Sequence, residues 1–214
     1  MSSATRVIGA QVKDESRIQE RRAQIAEAAA RVFREKGFHT ATIRDVAEAA
    51  GLTQGTLYNY IRSKDDILYL VHQELTARYI ADVEQAIAGI ADPRARLRAA
   101  LQAFARAMRE RHADIALIYQ ETHALGRESL SAVLAQTEAF IARFAGLIEA
   151  ARRDGLAMAG APTLAADIVT FLPVMLSLRR WRLKHITDGA AAEAELVAFL
   201  LRGLGCPEEI THGA

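Results

Sequence analysis

The chain has 214 residues, 51% hydrophobic, 25% charged and 6% aromatic, enough to bury a core in one large domain or two modest ones. Its 27 Lys and Arg against 26 Asp and Glu leave a net charge of +1, which excludes a uniformly basic nucleic-acid coat but leaves local patches open. A single cysteine, Cys206, excludes an internal disulfide framework and a multi-cysteine zinc site.

Ala, Leu, Arg and Glu dominate, prolines number 4 and glycines 13, and alternating Val, Ile and Thr runs are scarce. The expected fold class is therefore all-α, with about nine helices. Residues 1–16 lack periodicity and read as a flexible arm, without the apolar core of a secretory signal. From Arg17 the pattern turns helical, with Ile25, Ala29, Val32 and Phe33 on one face and Gly37 as its stop. Thr42 with Asp45 three residues on forms a capping box for a short helix that ends at Gly51. Thr53 caps another, 54–60. Ser63 with Asp66 opens a long helix to about Gly89.

Asp92-Pro93 starts a helix running to about His112, and a shorter one, 113–122, leads to Gly126. From there Val133, Phe140, Phe144, Leu147 and Ile148 keep one face apolar to about Arg153. A helix is expected at 163–185, kinked by Pro173, and the last at 189–204. The longest strongly apolar run, Ile168 to Leu178, has 11 residues, short of the ~20 that a membrane helix needs. The expectation is a soluble, cytoplasmic protein with no membrane partner.

The stretch Ile43 to Tyr60 carries the function. A helix-turn-helix needs inward apolar positions, a small residue at the helix crossing and a glycine able to take positive φ in the turn. Ile43, Val46 and Ala50, then Ala47, then Gly51, meet these needs, and Leu52 and Leu57 close the core. The outward positions Thr53, Gln54, Gly55, Thr56, Tyr58 and Asn59 are mostly uncharged hydrogen-bonders of the kind that read base edges and phosphates. Gly55 removes a side chain and lets backbone approach closely. Arg21, Arg22, Arg44, Arg62 and Lys64 lie nearby, and residues 1–65 hold 11 Lys and Arg against 8 Asp and Glu. That excess is modest, so individual phosphate contacts must carry the binding.

About 50 residues, from Ile25-Ala26-Glu27-Ala28-Ala29 through Thr42-Ile43-Arg44-Asp45-Val46-Ala47 and Gly55-Thr56-Leu57-Tyr58-Asn59-Tyr60 to Ser63-Lys64-Asp65-Asp66-Ile67-Leu68, resemble the N-terminal domain of TetR/AcrR-type transcriptional regulators. Ile61 departs from the pattern, where an aromatic is more usual, as does Asn59, where histidine is common. The resemblance implies a helix-turn-helix domain over 17–62 and a helical ligand-binding and dimerisation domain over 63–214. Carried over by position, Gln54, Gly55, Thr56, Tyr58 and Asn59 contact a double-stranded DNA operator, and Lys64 meets a phosphate. Thr42 and Arg44 would be secondary contacts, Thr53 remains among the DNA-binding positions, and Leu57 and Tyr60 hold the core. The resemblance further implies a dimeric repressor released by a small-molecule effector.

In the remainder Phe104, Met108, Tyr119, His123, Phe140, Phe144, Phe171 and Met175 recur at helical spacing. Ordinary core and ligand pocket are both open readings of these residues. The segment Tyr119 to Leu125 resembles the branch that responds to fatty-acyl-CoA and related CoA thioesters. There arginines, here among Arg106, Arg109, Arg143, Arg152, Arg179 and Arg180, would meet the CoA phosphates; an apolar or aromatic multidrug-type effector is the alternative. The segments 163–185 and 189–204 are apolar on more than one face, which points to burial against a second copy. No cofactor and no metal is expected, because the histidines form no cluster at i, i+3 or i+4 spacing. An enzyme is disfavoured: there is no nucleophile–base motif, and Glu121 and His123, two residues apart, do not share a helix face.

Overall fold

The computed structural model describes Arg6, Ile8 and residues 14–155 and 160–206. Among the described residues it is all-α, with no strand. Eleven α-helices follow in order: α1 Glu15–Lys36, α2 Ile43–Ala49, α3 Gln54–Tyr58, α4 Lys64–Ile87, α5 Pro93–Glu110, α6 His112–Glu121, α7 Arg127–Arg153, α8 Pro162–Phe171, α9 Met175–Leu178, α10 Arg180–Leu183 and α11 Gly189–Gly203. Short 3-10 turns, Thr122–Ala124 and Leu172–Val174, follow α6 and α8. The expected count of about nine rises because 163–185 is not one helix. Pro173 brings no N–H to the ladder, so the chain tightens into a 3-10 turn there. A second break falls at Arg179, whose φ of −107° and ψ of 16° leave the helical region.

The chain packs into two units, residues 1–78 with 113–137, and 79–112 with 138–214. The first part of α4, α6 from Ala113 onward and the start of α7 fall in the unit that holds the helix-turn-helix. In the first unit Ile25, Ala29, Val32 and Phe33 are buried along α1, as their spacing predicts; α1 packs on α2, and Val46, Ala47, Leu57 and Ile61 are buried too. Ile61 fills its core position as an aliphatic. Two α1 side chains cap the exit of α2: Gln24 Nε2 donates to the Ala50 carbonyl at 2.7 Å and Arg31 to that of Ala49 at 3.0 Å.

Most of the expected arm, residues 1–5, 7 and 9–13, lies outside the described residues. Arg6 and Ile8 do not behave as an arm. Ile8 is buried, and Arg6 pairs with Asp66 at 2.6 Å and Asp65 at 3.2 Å and donates to Ser129 Oγ at 2.7 Å. Buried Asp66 and Ser129 supply the acceptors that hold them there.

In the second unit Tyr79, Phe104, Phe140 and Phe144 form an aromatic cluster with ring centroids 5.0 to 5.9 Å apart. The helix α5 packs on α11 and α9, where buried Ser177 donates to the Met108 carbonyl at 2.6 Å. By length and mean hydropathy (1.2 over 18 residues) α7 reaches the dimensions of a membrane-crossing helix. Its buried residues nevertheless form one stripe, Val133, Phe140, Phe144, Leu147, Ile148 and Ala151, and its other face carries Glu138 and Arg143. That is the pattern of an amphipathic core helix.

Candidate nucleic-acid interface

The α2–α3 corner is built by its turn. Gly51 takes φ 65°, a left-handed conformation that side chains resist. Its reversal lets the Leu52 N–H reach the Ala47 carbonyl at 2.9 Å. The entrance of α2 is fixed by the reciprocal capping box: Thr42 Oγ1 accepts from the Asp45 N–H at 3.1 Å, and the Asp45 carboxylate accepts from the Thr42 N–H at 2.8 Å. Hydrogen bonds from Lys36 and then Thr42 hold the Asp45 carboxyl well below the usual carboxylate range. Thr53 opens α3, its Oγ1 accepting from the Thr56 N–H at 3.1 Å.

These contacts leave one face outward. Thr53, Gln54, Gly55 and Tyr58 are exposed, Tyr58 at 42%, while Thr56 and Asn59 are half-buried. Leu57 and Tyr60 are buried, as expected. Thr42 and Arg44 are exposed beside them, Arg44 ion-paired with Glu48 at 2.8 Å. Ile43 turns only half inward. Gly55 has helical backbone, and a Cβ built there would meet only Thr53 Oγ1, at 3.9 Å. Nothing inside the molecule requires that glycine.

Lys64 is half-buried. Its Nζ lies 4.6 Å from the centroid of Phe38 and donates to the His39 carbonyl at 3.0 Å. Burial lowers its pKa, with Glu121 opposing. An ammonium carries three donors, so two remain for a phosphate. Arg22 turns out not to belong to the basic rim: it points inward to the Ile8 carbonyl.

The eight residues singled out in the remainder are divided between the two units. Phe104, Met108, Phe140 and Phe144 are buried in the second unit and Met175 is half-buried, but Phe171 is 61% exposed. Tyr119 and His123 belong to the first unit. There His123 lies near His39, ring centroids 6.4 Å apart, and His39 Nε2 is 3.4 Å from Glu121 Oε2. The spacing of the histidines along the sequence shows no cluster, and this one is assembled by the fold. His39 comes from the loop after α1, and the 3-10 turn after α6 breaks the helix geometry that would separate Glu121 from His123. No local spacing signals such a meeting.

The fold and the outward α3 face define a helix-turn-helix regulator, and comparison with known proteins agrees. Residues 25–69 match the family model of bacterial regulatory proteins of the tetR family, and 91–181 match a tetracyclin repressor-like C-terminal domain. The HTH-type transcriptional activator FasR of Mycolicibacterium smegmatis is 31% identical over 70% of this chain and 68% of its own length. The regulator HbdR of Aromatoleum sp. is 34% identical over 58% of this chain, a match that spans 54% of HbdR. A crystal structure of AibR in complex with isovaleryl coenzyme A and operator DNA shares the fold, with a TM-score of 0.71 and 20% identity over 88% of this chain and all of that one. The chain belongs to the TetR family of DNA-binding transcriptional regulators.

Proposed function

We propose that the protein binds a palindromic operator in the cytoplasm as a homodimer, represses transcription there, and is released by a CoA thioester. The observation that carries the DNA half is the outward face of α3, where exposed hydrogen-bonders flank a glycine that packing does not explain. Gln54 and Asn59 read base edges, Thr53, Thr56 and Tyr58 add polar contacts, and Lys64 takes a phosphate, with Thr42 and Arg44 at the margin.

The effector half rests on the second unit. A groove of about 180 Å³ there is lined by Arg109, Arg180 and Lys184 over Leu176 and Leu183, a cationic mouth suited to CoA phosphates. Arg109 is also braced by Glu193 at 2.5 Å. Arg109 and Arg180 are the favoured arginines because they line this groove, which Arg143, held at 2.7 Å by Glu84, and Arg152, facing Glu149 at 3.8 Å, do not. The acyl chain is assigned to the apolar interior near Phe104, Met108, Phe140, Phe144 and Met175. AibR, whose structure holds isovaleryl coenzyme A with operator DNA, lends the reading support. Release requires that the thioester bind a conformation whose two reading helices no longer match successive major grooves.

Footprinting of the promoter beside the protein's own gene tests both halves. Two protected half-sites, lost steeply with salt, are expected at low salt; absence of protection sinks the DNA reading. A panel of acyl-CoAs should contain one that clears the footprint, at a higher concentration for Arg180→Ala than for the parent. If no member alters operator affinity or melting temperature, the effector is of another class.

A further inference from the structure

The geometry points to a transition-metal site formed by His39, Glu121 and His123, with Zn²⁺ the ion that its donors suit. Each residue offers one ligand atom, and the three atoms lie within 4.8 Å of one another. Two donors on one zinc ion, each ~2.1 Å away at a near-tetrahedral angle, stand ~3.4 Å apart. His39 Nε2 and Glu121 Oε2 already do so, at 3.4 Å. The third donor has to close by at most about 1.4 Å, the difference between 4.8 and 3.4 Å, which rotation of an exposed imidazole supplies.

An independent observation points the same way. Glu121 Oε2 is buried and accepts no hydrogen bond, a costly state for a carboxylate oxygen, and a bound cation would satisfy it. Both histidines are exposed while Glu121 is half-buried. An ion would thus enter from solvent onto the imidazoles and keep a position for water. Two imidazoles and one carboxylate suit Zn²⁺, not the all-oxygen preferences of Ca²⁺ or Mg²⁺.

All three ligands belong to the first unit. His39 stands three residues before Thr42, and its carbonyl accepts from Lys64. A bound ion would pin the loop between α1 and α2 to the end of α6 and add positive charge beside Lys64. Operator affinity should then rise with metal. This consequence rests on the DNA reading above; the site itself does not.

The test uses the full chain and Co²⁺ as a spectroscopic stand-in for zinc. Visible d–d bands saturating at one ion per chain are expected, together with a Zn²⁺-dependent rise in Tm of about 5 °C at a hundredfold excess over Kd. His39→Ala and His123→Ala, both surface changes, should each weaken Co²⁺ binding at least tenfold. Glu121→Gln, which keeps shape and removes charge, should do the same. Absence of the bands, or their persistence in a His39→Ala/His123→Ala double variant, overturns the site and leaves His39 and Glu121 as an ordinary ion pair. Operator affinity should rise severalfold with Zn²⁺ over chelator in the parent and not in the double variant. An unchanged affinity alongside intact bands overturns the regulatory coupling. If operator binds in neither state, the DNA reading fails while the Co²⁺ spectrum still decides the site.

Discussion

At the scale of single residues, two side-chain choices separate function from folding. Glycine inside a helix costs up to about 1 kcal/mol relative to alanine, and at Gly55 the space beyond the backbone is open. Gly55→Ala should therefore leave thermal stability equal or higher while operator affinity drops tenfold or more. A variant that binds operator as well as the parent would show that the α3 backbone does not approach DNA closely. His72 is the opposite case, a titratable group serving the core. Burial lowers its pKa to about 4, against about 6.5 in an unfolded chain. Between those values the unfolded chain takes up a proton that the folded chain refuses. The stability this neutral imidazole contributes is complete above about pH 6.5 and is lost as pH falls toward 4, up to about 3 kcal/mol in all. Urea midpoints followed from pH 7 downward should fall more steeply for the parent than for His72→Gln; parallel profiles would refute the assignment.

At the scale of elements, the start of α4 shows what local patterning reveals and what it hides. Ser63 and Asp66 form the capping pair that their spacing predicts, Ser63 Oγ accepting from the Asp66 N–H and Asp66 accepting from the Ser63 N–H, both at 3.2 Å. The same carboxylate also accepts from the Arg62 N–H at 2.6 Å and pairs with Arg6, sixty residues earlier. Buried to 1% exposure, it leaves two backbone donors unanswered if removed and takes from the Arg6 guanidinium its shortest ion pair. Asp66→Ala should cost about 3 kcal/mol, read from denaturant unfolding, far above the ~1 kcal/mol of a plain cap. Helices α1 to α7 were legible because caps, breakers and apolar stripes are local signals. The α3 face was legible for the same reason: its outward positions alternate with Leu57 and Tyr60 within one short run. The kink at Pro173 was legible too, but its tightening into a 3-10 turn and the second break at Arg179 were not, since the apolar run from Ile168 to Leu178 fits one kinked helix equally well. Nor was the inward turn of Arg22, or the meeting of His39 with Glu121, which depend on partners distant in sequence.

At the scale of the whole molecule, the second unit carries several large exposed apolar side chains on two neighbouring stretches of the sequence. Leu164, Ile168 and Phe171 follow one another at i, i+4 and i+7 along α8, each at least 47% exposed, and Phe199 of α11 is 61% exposed. Between these helices runs an apolar groove of about 230 Å³. A contiguous patch of this kind suits the interface of the proposed homodimer, which would join two copies by a two-fold axis. A dimer would also account for the weak net charge of the reader. In the proposed dimer each copy would bring few cations, and affinity would come from two half-sites held about one helical turn apart, where the second contact is made at high effective concentration. Phe199→Glu places a charge in the middle of that patch without touching the α3 face. It should shift sedimentation from dimer to monomer and weaken operator binding by two orders of magnitude or more, while near-normal helical content shows that each chain still folds. A Phe199→Glu protein that remains dimeric would place the interface elsewhere; one that becomes monomeric yet binds operator undiminished would show that a single reader suffices.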